Sequence, residues 1–146
     1  MLTSTDFRAI CHRHRLAATH QRQVIYEAAM SLPGHPSPED IYERARKKIP
    51  AISLATVYKN IRTFLDSGML QEVSLHHGSL RVEPNHRPHH HLVCVKCKSI
   101  TDLDASGFGP LQFRRGLPRG FRVKRIAVDI LGVCQRCSSA GAPKHR

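Results

Sequence analysis

The sequence contains no apolar run near the roughly 20 residues that a helix needs to cross a bilayer. Residues 1–16 also lack the apolar core of a secretory signal. We therefore expect neither a membrane partner nor secretion, and predict a cytoplasmic protein. Hydrophobic residues still make up 40% of the 146 positions, which is too many for a disordered chain. That length suits one ordinary domain or two small ones, with a modest core.

Acidic side chains are scarce, since 11 Asp and Glu stand against 23 Lys and Arg, for a formal net charge of +12. A basic protein of this size usually binds a polyanion, and nucleic acid is the first candidate. An acidic membrane surface is the weaker alternative, because no long basic amphipathic helix with an aromatic face is present. The basic surplus is uneven: residues 1–83 carry 11 basic and 8 acidic side chains, and residues 84–146 carry 12 and 3. Bulk charge therefore does not locate the binding surface.

Four of the five cysteines form two Cys-x-x-Cys pairs, Cys94/Cys97 and Cys134/Cys137. The spacing lets both thiolates of a pair face one ion from a tight turn, and two pairs complete a tetrahedral structural Zn(II) site. Two disulfides or two redox dithiols are the alternatives, but stable disulfides are disfavoured without a secretory signal. The fifth, Cys11, lies on a predicted helix and is expected to be a partly buried small apolar residue.

Helix caps and apolar spacing predict four helices in the first half of the chain. Their expected extents are residues 4–15, a segment after the cap Thr19, residues 37–50 and residues 53–68. The fourth helix is expected to bury an apolar stripe made of Leu54, Val57, Ile61, Phe64 and Leu65. Strands 70–75 and 80–83 follow, joined by residues 76–79. This order is typical of a helix-turn-helix whose second helix reads DNA, followed by the hairpin wing of a winged helix.

The composition changes beyond Pro84. Strands are expected over 100–103 and 121–131, while glycine and proline interrupt residues 105–120 and make them weak for helix. The predicted fold class is α+β, with a winged helix over 1–84, a smaller α/β domain that binds metal over 85–138, and a flexible tail over 139–146.

The order of winged helix, histidine cluster, first Cys-x-x-Cys, strand and second Cys-x-x-Cys resembles the ferric uptake regulator (Fur) family of metal-dependent bacterial repressors. The likeness is carried by Ser53-Leu-Ala-Thr-Val-Tyr-Lys-Asn60, by His89-His-His-Leu-Val-Cys-Val-Lys-Cys97 and by Gly132-Val-Cys-Gln-Arg-Cys137. The resemblance implies a homodimer of two-domain subunits, with an N-terminal DNA-reading domain and a C-terminal dimerisation domain.

The resemblance also implies a regulatory Fe(II) or Mn(II) site built from imidazole and carboxylate ligands of both domains. The implied ligands are His35, Glu83, His89, His91 and Asp102. On an extended segment His89 and His91 point the same way and His90 points the opposite way. A metal that binds the DNA-competent arrangement preferentially would favour that arrangement. The alternatives are an ordinary exposed histidine-rich loop, or a secondary metal site in which His86 and His90 take part.

Two residues of the implied metal site indicate different signals for this member of the family. Asp102 resembles the peroxide-sensing branch, whereas Glu83 is more typical of iron regulators. We favour peroxide sensing, because Asp102 lies five residues after Cys97 in a closely matching segment. The implied mechanism is Fe(II)-catalysed oxidation of His35 or His89 to 2-oxo-histidine, which releases the metal and the DNA.

Such a mechanism involves no turnover, so an enzyme is not expected. An iron- or zinc-uptake repressor without redox sensing is the alternative within the family, and a zinc-stabilised protein-interaction module is the alternative outside it. A non-haem iron oxygenase is least supported, since little chain remains to build a substrate pocket.

DNA contacts are expected from the fourth helix and from two arginines that would bind the DNA backbone. The candidates are Thr56, Tyr58, Lys59, Asn60 and Arg62 on that helix, with Arg15 and Arg22. A two-fold dimer predicts a pseudo-palindromic operator, which we expect to be AT-rich double-stranded DNA. For each residue the alternative is an ordinary solvated helix face.

Overall fold

The computed structural model describes residues 3–73, 79–85, 87–109, 111–112 and 114–139. The chain forms two compact units, residues 1–86 and 87–146. The first unit combines four helices with a two-stranded sheet, and the second is built on a three-stranded sheet. These elements confirm the predicted α+β class. Within the described residues, no helix has the length and apolar character needed to cross a bilayer.

All four predicted helices of the N-terminal unit are present. They are α1 Ser4–Arg13, α2 His20–Ser31, α3 Pro38–Ala45 and α4 Leu54–Asp66. Each begins after a hydroxyl side chain that accepts a backbone N–H of the first turn; these caps are Thr3, Thr19, Ser37 and Ser53. Local sequence signals therefore determined where the helices start.

The prediction that the third helix continues to Pro50 is wrong, because α3 ends at Ala45. The Lys48 N–H bonds to the carbonyl of Ala45, three residues back, at 3.0 Å. The same carbonyl also accepts the Ile49 N–H at 3.0 Å, so the chain closes one last turn after the helix. Pro50 then disfavours helical geometry at Ile49, the residue before it. This early end leaves a short turn between α3 and α4.

The core of the N-terminal unit lies between these helices. Phe64 is fully buried, and its ring packs edge-on against Tyr26 with a centroid distance of 5.9 Å. Phe7 contacts Tyr26 from α1 at 5.7 Å. Leu54, predicted to belong to the buried stripe of α4, is instead 36% exposed, because it is the first residue of the helix and lies beyond the end of the core. Cys11 is buried, and burial raises the pKa of its thiol.

The wing is shorter than predicted in the part of the chain that the structure describes. Strands β1 Gln71–Glu72 and β2 Val82–Glu83 pair in antiparallel fashion. Residues 74–78, which include part of the predicted hairpin loop, lie outside the described residues. The Val82 N–H donates to the Pro36 carbonyl at 3.0 Å. This bond ties the wing to the loop between α2 and α3.

The C-terminal unit is organised around one central strand. Its strands are β3 His89–Cys94, β4 Ile100–Asp104 and β5 Asp129–Gly132, in the order β4-β3-β5, and a short helix α5 Gln135–Ser139 follows. β3 is antiparallel to β4 and parallel to β5. Among the described residues of 105–120 the helical structure is one 3-10 turn, Ala105–Gly107, as the glycines and prolines predicted.

The prediction of a strand over 121–131 is wrong in its extent, since only Asp129–Gly132 pairs with β3. In the parallel register His91 lies opposite Asp129, so that Val128 and Ala127 would face His90 and His89, and residues from Ile126 back would need partners at position 88 and before it. Pro88 stands there and has no N–H to donate to a ladder. The upstream residues therefore remain outside the sheet, and Phe121 is 62% exposed.

We expect Phe64→Ala to lower the free energy of unfolding by about 3–5 kcal/mol, because it removes a fully buried ring and leaves a cavity. Urea unfolding followed by circular dichroism at helical wavelengths measures this change. Leu54→Ala on the same helix is the matched control and is expected to cost less than about 1 kcal/mol. Equal losses for the two variants would contradict the described core.

Candidate metal centres and nucleic-acid interface

The four paired cysteines come together within the C-terminal unit. Their sulfur atoms all lie within 4.8 Å of one another, and Cys97 Sγ is 3.7 Å from Cys134 Sγ. A tetrahedron with Zn–S bonds of about 2.3 Å has edges of about 3.8 Å. The pairing of Cys94 with Gly132 in the parallel ladder brings the second Cys-x-x-Cys beside the first. The donor set therefore fits Zn(II) in both chemistry and size.

The surroundings of these cysteines lower the pKa values of two of the thiols and raise that of a third. All four are free thiols in the structure. Hydrogen bonding with the Ser99 hydroxyl, 3.2 Å away, lowers the pKa of Cys97 to about 5. The Cys134 N–H donates to Cys94 Sγ at 3.4 Å and lowers the pKa of that thiol. Hydrogen bonding with Cys134 raises the pKa of Cys137 to about 12, so a bound dication must displace a proton there.

The N-terminal unit contributes a buried pair made of His35 and Glu83. His35 Nε2 lies 2.9 Å from Glu83 Oε2, and Glu83 is fully buried. Gly34 has a φ of +66°, which a glycine adopts without strain, and it precedes His35 at the turn into α3. The second carboxylate oxygen of Glu83 accepts the Asn85 N–H at 2.7 Å. A carboxylate is rarely buried to this degree unless it is paired or binds a metal.

The C-terminal unit holds a second cluster on one face of its sheet. His89 Nε2 lies 3.1 Å from His91 Nε2 and 3.9 Å from Asp102 Oδ1. The antiparallel ladder places Asp102 directly opposite His91. Both imidazoles are buried, whereas the Asp102 side chain is 41% exposed. Two nitrogens at metal bonds of about 2.1 Å and a right angle lie about 3.0 Å apart, close to the observed separation.

Hydrogen bonds on the far side of each ring assign the tautomers of these histidines. The His89 Nδ1–H donates to the Arg87 carbonyl at 2.6 Å, and the His91 Nδ1–H donates to Asp129 Oδ1 at 3.1 Å. In a neutral imidazole the other nitrogen then carries a lone pair. The two Nε2 lone pairs therefore converge on one point, as ligands of a shared cation do.

Sequence reasoning missed Asp129, the carboxylate that holds His91. No spacing signal connects the two residues, which are 38 positions apart. They meet because β5 pairs with β3 in the register that sets Asp129 beside His91.

His90 points away from this cluster, as the alternation of the strand predicted. Its Nδ1 accepts the Val128 N–H at 3.2 Å, and its ring packs edge-on against Phe108 at 4.7 Å. These contacts give His90 a structural role on the opposite face of the sheet. His86, named with it for a secondary site, lies outside the described residues.

The predicted DNA-binding residues of α4 differ in solvent exposure and in the hydrogen bonds that their side chains make. Lys59 is exposed, and Tyr58 is 38% exposed. The Tyr58 hydroxyl donates to Glu39 Oε1 of α3 at 2.7 Å, which raises the pKa of Tyr58 and lowers that of Glu39. Sequence reasoning missed Glu39. Thr56 is half-buried, and its hydroxyl lies 2.8 Å from that of Ser53.

Three of the remaining candidates are already engaged in contacts within the unit. Arg22 Nε donates to Asn60 Oδ1 at 3.3 Å, and another nitrogen of Arg22 donates to the Ala17 carbonyl at 2.7 Å. Arg62 lies 3.8 Å from Glu72. Arg15 is exposed and has a φ of +56° just after α1.

The chain matches the model of the ferric uptake regulator family over residues 13–131. It is 35% identical over 120 residues to the peroxide operon regulator of Bacillus subtilis (strain 168), which covers 82% of this chain and 83% of that protein. The Campylobacter jejuni peroxide stress regulator is similar in structure, with a TM-score of 0.62, 27% identity, and coverage of 88% of this chain and 97% of that one.

The fold is also that of the ferric uptake regulator from Francisella tularensis, solved with iron. The TM-score is 0.68 at 23% identity, over 84% of this chain and 95% of that one. The family model, the 35% identical relative and the shared fold agree over most of the sequence. The chain belongs to the ferric uptake regulator family.

Proposed function

We propose that this metal-sensing regulator represses transcription from operator DNA and responds to peroxide through its regulatory metal. The observation that carries the proposal is the pair of imidazole lone pairs, His89 Nε2 and His91 Nε2, that converge at 3.1 Å in a buried part of the sheet. Its relatives are transcriptional regulators, and the proposed chemistry modifies this protein rather than a substrate.

We infer that one regulatory ion, Fe(II) or Mn(II), binds ligands from both units. The proposed ligands are His35, Glu83, His89, His91 and Asp102. Three neutral imidazoles and two carboxylates suit a divalent first-row metal. Joining ligands of both units through one ion would restrict their arrangement and favour the form that binds DNA. We further propose that Zn(II) at Cys94, Cys97, Cys134 and Cys137 stabilises the C-terminal unit.

Peroxide sensing would consume one of the histidine ligands. One oxygen of hydrogen peroxide bonds to ring carbon C2 of His35 or His89, the other leaves as water, and the ring loses two electrons to become 2-oxo-histidine. Bound Fe(II) would supply the one-electron chemistry that activates peroxide. The oxidised ring is a poor ligand, so the linkage between the units and the affinity for DNA would both fall. The similarity to peroxide regulators supports this branch.

The rival within the family is an iron- or zinc-uptake repressor without redox sensing. Glu83 favours it, because the resemblance associates glutamate at this position with iron regulators. Both readings use the same ligands, so they differ only in whether a histidine is oxidised.

We propose a homodimer that places two copies of α4 on a pseudo-palindromic, AT-rich operator. The apolar face of the C-terminal sheet supports it: Leu92 lies beside Ile130 in the ladder, and these side chains are 40% and 38% exposed. They lie on the face opposite His91. An exposed apolar face of this kind favours association with a second copy.

Peroxide treatment of the Fe(II)-loaded protein is expected to add one oxygen to the peptide that contains His35 or His89 and to abolish operator binding. Mass spectrometry of the peptides and a gel shift on AT-rich palindromic DNA measure the two effects. The Mn(II)-loaded protein is the control and should keep both its mass and its DNA. Metal-dependent DNA binding without any oxygen gain would contradict peroxide sensing and favour the uptake repressor. Failure to bind DNA in any metal state would contradict the repressor function and favour the protein-interaction module.

We expect Lys59→Ala to weaken operator binding and to reduce the slope of log affinity against log salt by about 1, because one phosphate contact is lost. Lys124→Ala removes the same charge from an exposed position in the C-terminal unit and should leave the slope unchanged. Fluorescence anisotropy over a range of salt concentrations measures both variants. Equal slopes for Lys59→Ala and the unmodified protein would argue against α4 as the DNA-binding helix.

Removal of zinc by a strong chelator is expected to lower the melting temperature of the C-terminal unit. Four cysteine sulfurs within 4.8 Å of one another cannot all be thiolates without a cation to offset their repulsion, and structural zinc contributes directly to folding. Calorimetry measures the shift, and re-addition of Zn(II) under reducing conditions should reverse it. Cys11→Ser is the control for loss of a cysteine, and it should retain bound zinc. An unchanged melting profile after verified zinc loss would contradict the structural role.

A further inference from the structure

Asp129 lies on the side of His91 that faces away from the proposed metal. Its Oδ1 is 3.1 Å from His91 Nδ1, and the two side chains are 14% and 1% exposed. His91 Nε2, at the other end of the ring, faces His89. The imidazole therefore stands between a carboxylate and the point where the metal ligands converge.

Backbone pairing fixes this arrangement. Asp129 is the first residue of β5 and lies opposite His91 in the parallel ladder, and the His91 N–H donates to the Val128 carbonyl at 3.0 Å. On the other side of β3, Asp102 lies opposite His91 in the antiparallel ladder. The three side chains thus form one row across the sheet, with the imidazole in the middle and a carboxylate on each side.

We infer that Asp129 is a positioning residue for the regulatory metal, which holds the His91 ring with its Nε2 lone pair directed at the ion. This inference rests on the proposed function, since it needs a metal at His91. The carboxylate accepts the Nδ1–H, so it selects the tautomer that can bind metal and limits rotation of the ring. A negative charge beside Nδ1 also makes Nε2 a stronger donor.

The two histidines of the cluster are held differently. His89 donates its Nδ1–H to the neutral carbonyl of Arg87, whereas His91 donates to the charged Asp129. A carboxylate strengthens a metal-ligating imidazole more than a carbonyl does. His91 is therefore the stronger anchor of the ion, and His89 is the ligand that leaves more readily when its ring is altered.

Asp129→Asn distinguishes a role in orienting the His91 ring from a role in packing alone. Asp129→Asn keeps the shape but removes the charge, and the amide can turn its NH2 group toward Nδ1. That orientation favours the tautomer with hydrogen on Nε2, which cannot bind metal. Asp129→Glu keeps the charge and should restore most of the function. Asp104→Asn on β4 is the matched control, because Asp104 is an exposed aspartate of the same sheet whose side chain accepts the Ser106 N–H.

The test is a Mn(II) titration of the full-length, zinc-loaded protein, with free Mn(II) followed by electron paramagnetic resonance. We expect Asp129→Asn to weaken Mn(II) binding about 10–100-fold, the range found when such supporting groups are removed. Asp129→Glu should recover at least half of that loss on a logarithmic scale. Asp104→Asn should change affinity less than about twofold: Asp104 lies opposite His89 in the antiparallel ladder, but its carboxylate is exposed and accepts the Ser106 N–H.

A second measurement, nitrogen NMR of the imidazole rings, does not depend on bound metal. In the metal-free protein His91 should carry its hydrogen on Nδ1, and Asp129→Asn should shift that hydrogen toward Nε2. Melting temperatures of all variants check that each is folded. If Asp129 served only to stabilise the fold, Asp129→Asn would lower the melting temperature. The folded fraction of that variant would still bind Mn(II) with unchanged affinity.

Two failures have different meanings. Equal Mn(II) affinity in the unmodified protein and folded Asp129→Asn would overturn the positioning role while leaving the proposed function intact. Absence of Mn(II) and Fe(II) binding by the unmodified, zinc-loaded protein would overturn the proposed function and this inference with it.

Discussion

The register of β3 against its two neighbours is the constraint on which both metal centres depend. One ladder places Asp102 opposite His91, and the other places Asp129 beside the same residue. Three positions further along, Cys94 pairs with Gly132, which brings the second Cys-x-x-Cys to the first. Because side chains alternate along a strand, a slip of one residue would turn His91 to the other face and expose His90 in its place. Cys94 would also lose its partners.

Electrostatics explains why the buried polar groups suit a cation. A fully buried carboxylate, Glu83, and two imidazoles with converging lone pairs are costly to bury in an apolar interior. Hydrogen bonds to Asn85, Arg87 and Asp129 satisfy the far side of each group. Carboxylate oxygens and imidazole nitrogens are the donor atoms that a divalent first-row metal prefers. Buried acceptors therefore point to the function of this protein more directly than its formal net charge of +12.

Local patterns predicted the helices well and their ends less well. Hydroxyl caps predicted the starts of α2, α3 and α4, because the cap interaction involves residues only three positions apart, and the structure adds Thr3 as the cap of α1. The end of α3 at Ala45 and the exposure of Leu54 depended on where the core stops. Similarly, the alternating pattern over 121–131 could not show that Pro88 limits the neighbouring strand. The errors thus lie where an element meets the rest of the unit.

The sequence by itself determined the family, the helix starts and the identity of the candidate ligands, since residue type and spacing carry that information. Only the tertiary structure decided which groups support those ligands. Asp129 reaches His91 through a pairing of strands 38 residues apart, and Glu39 reaches Tyr58 through the packing of α3 on α4. Such contacts join segments that are distant in the sequence, so the local spacing of residue types does not predict them. They follow from strand register and helix packing, which the whole chain determines together.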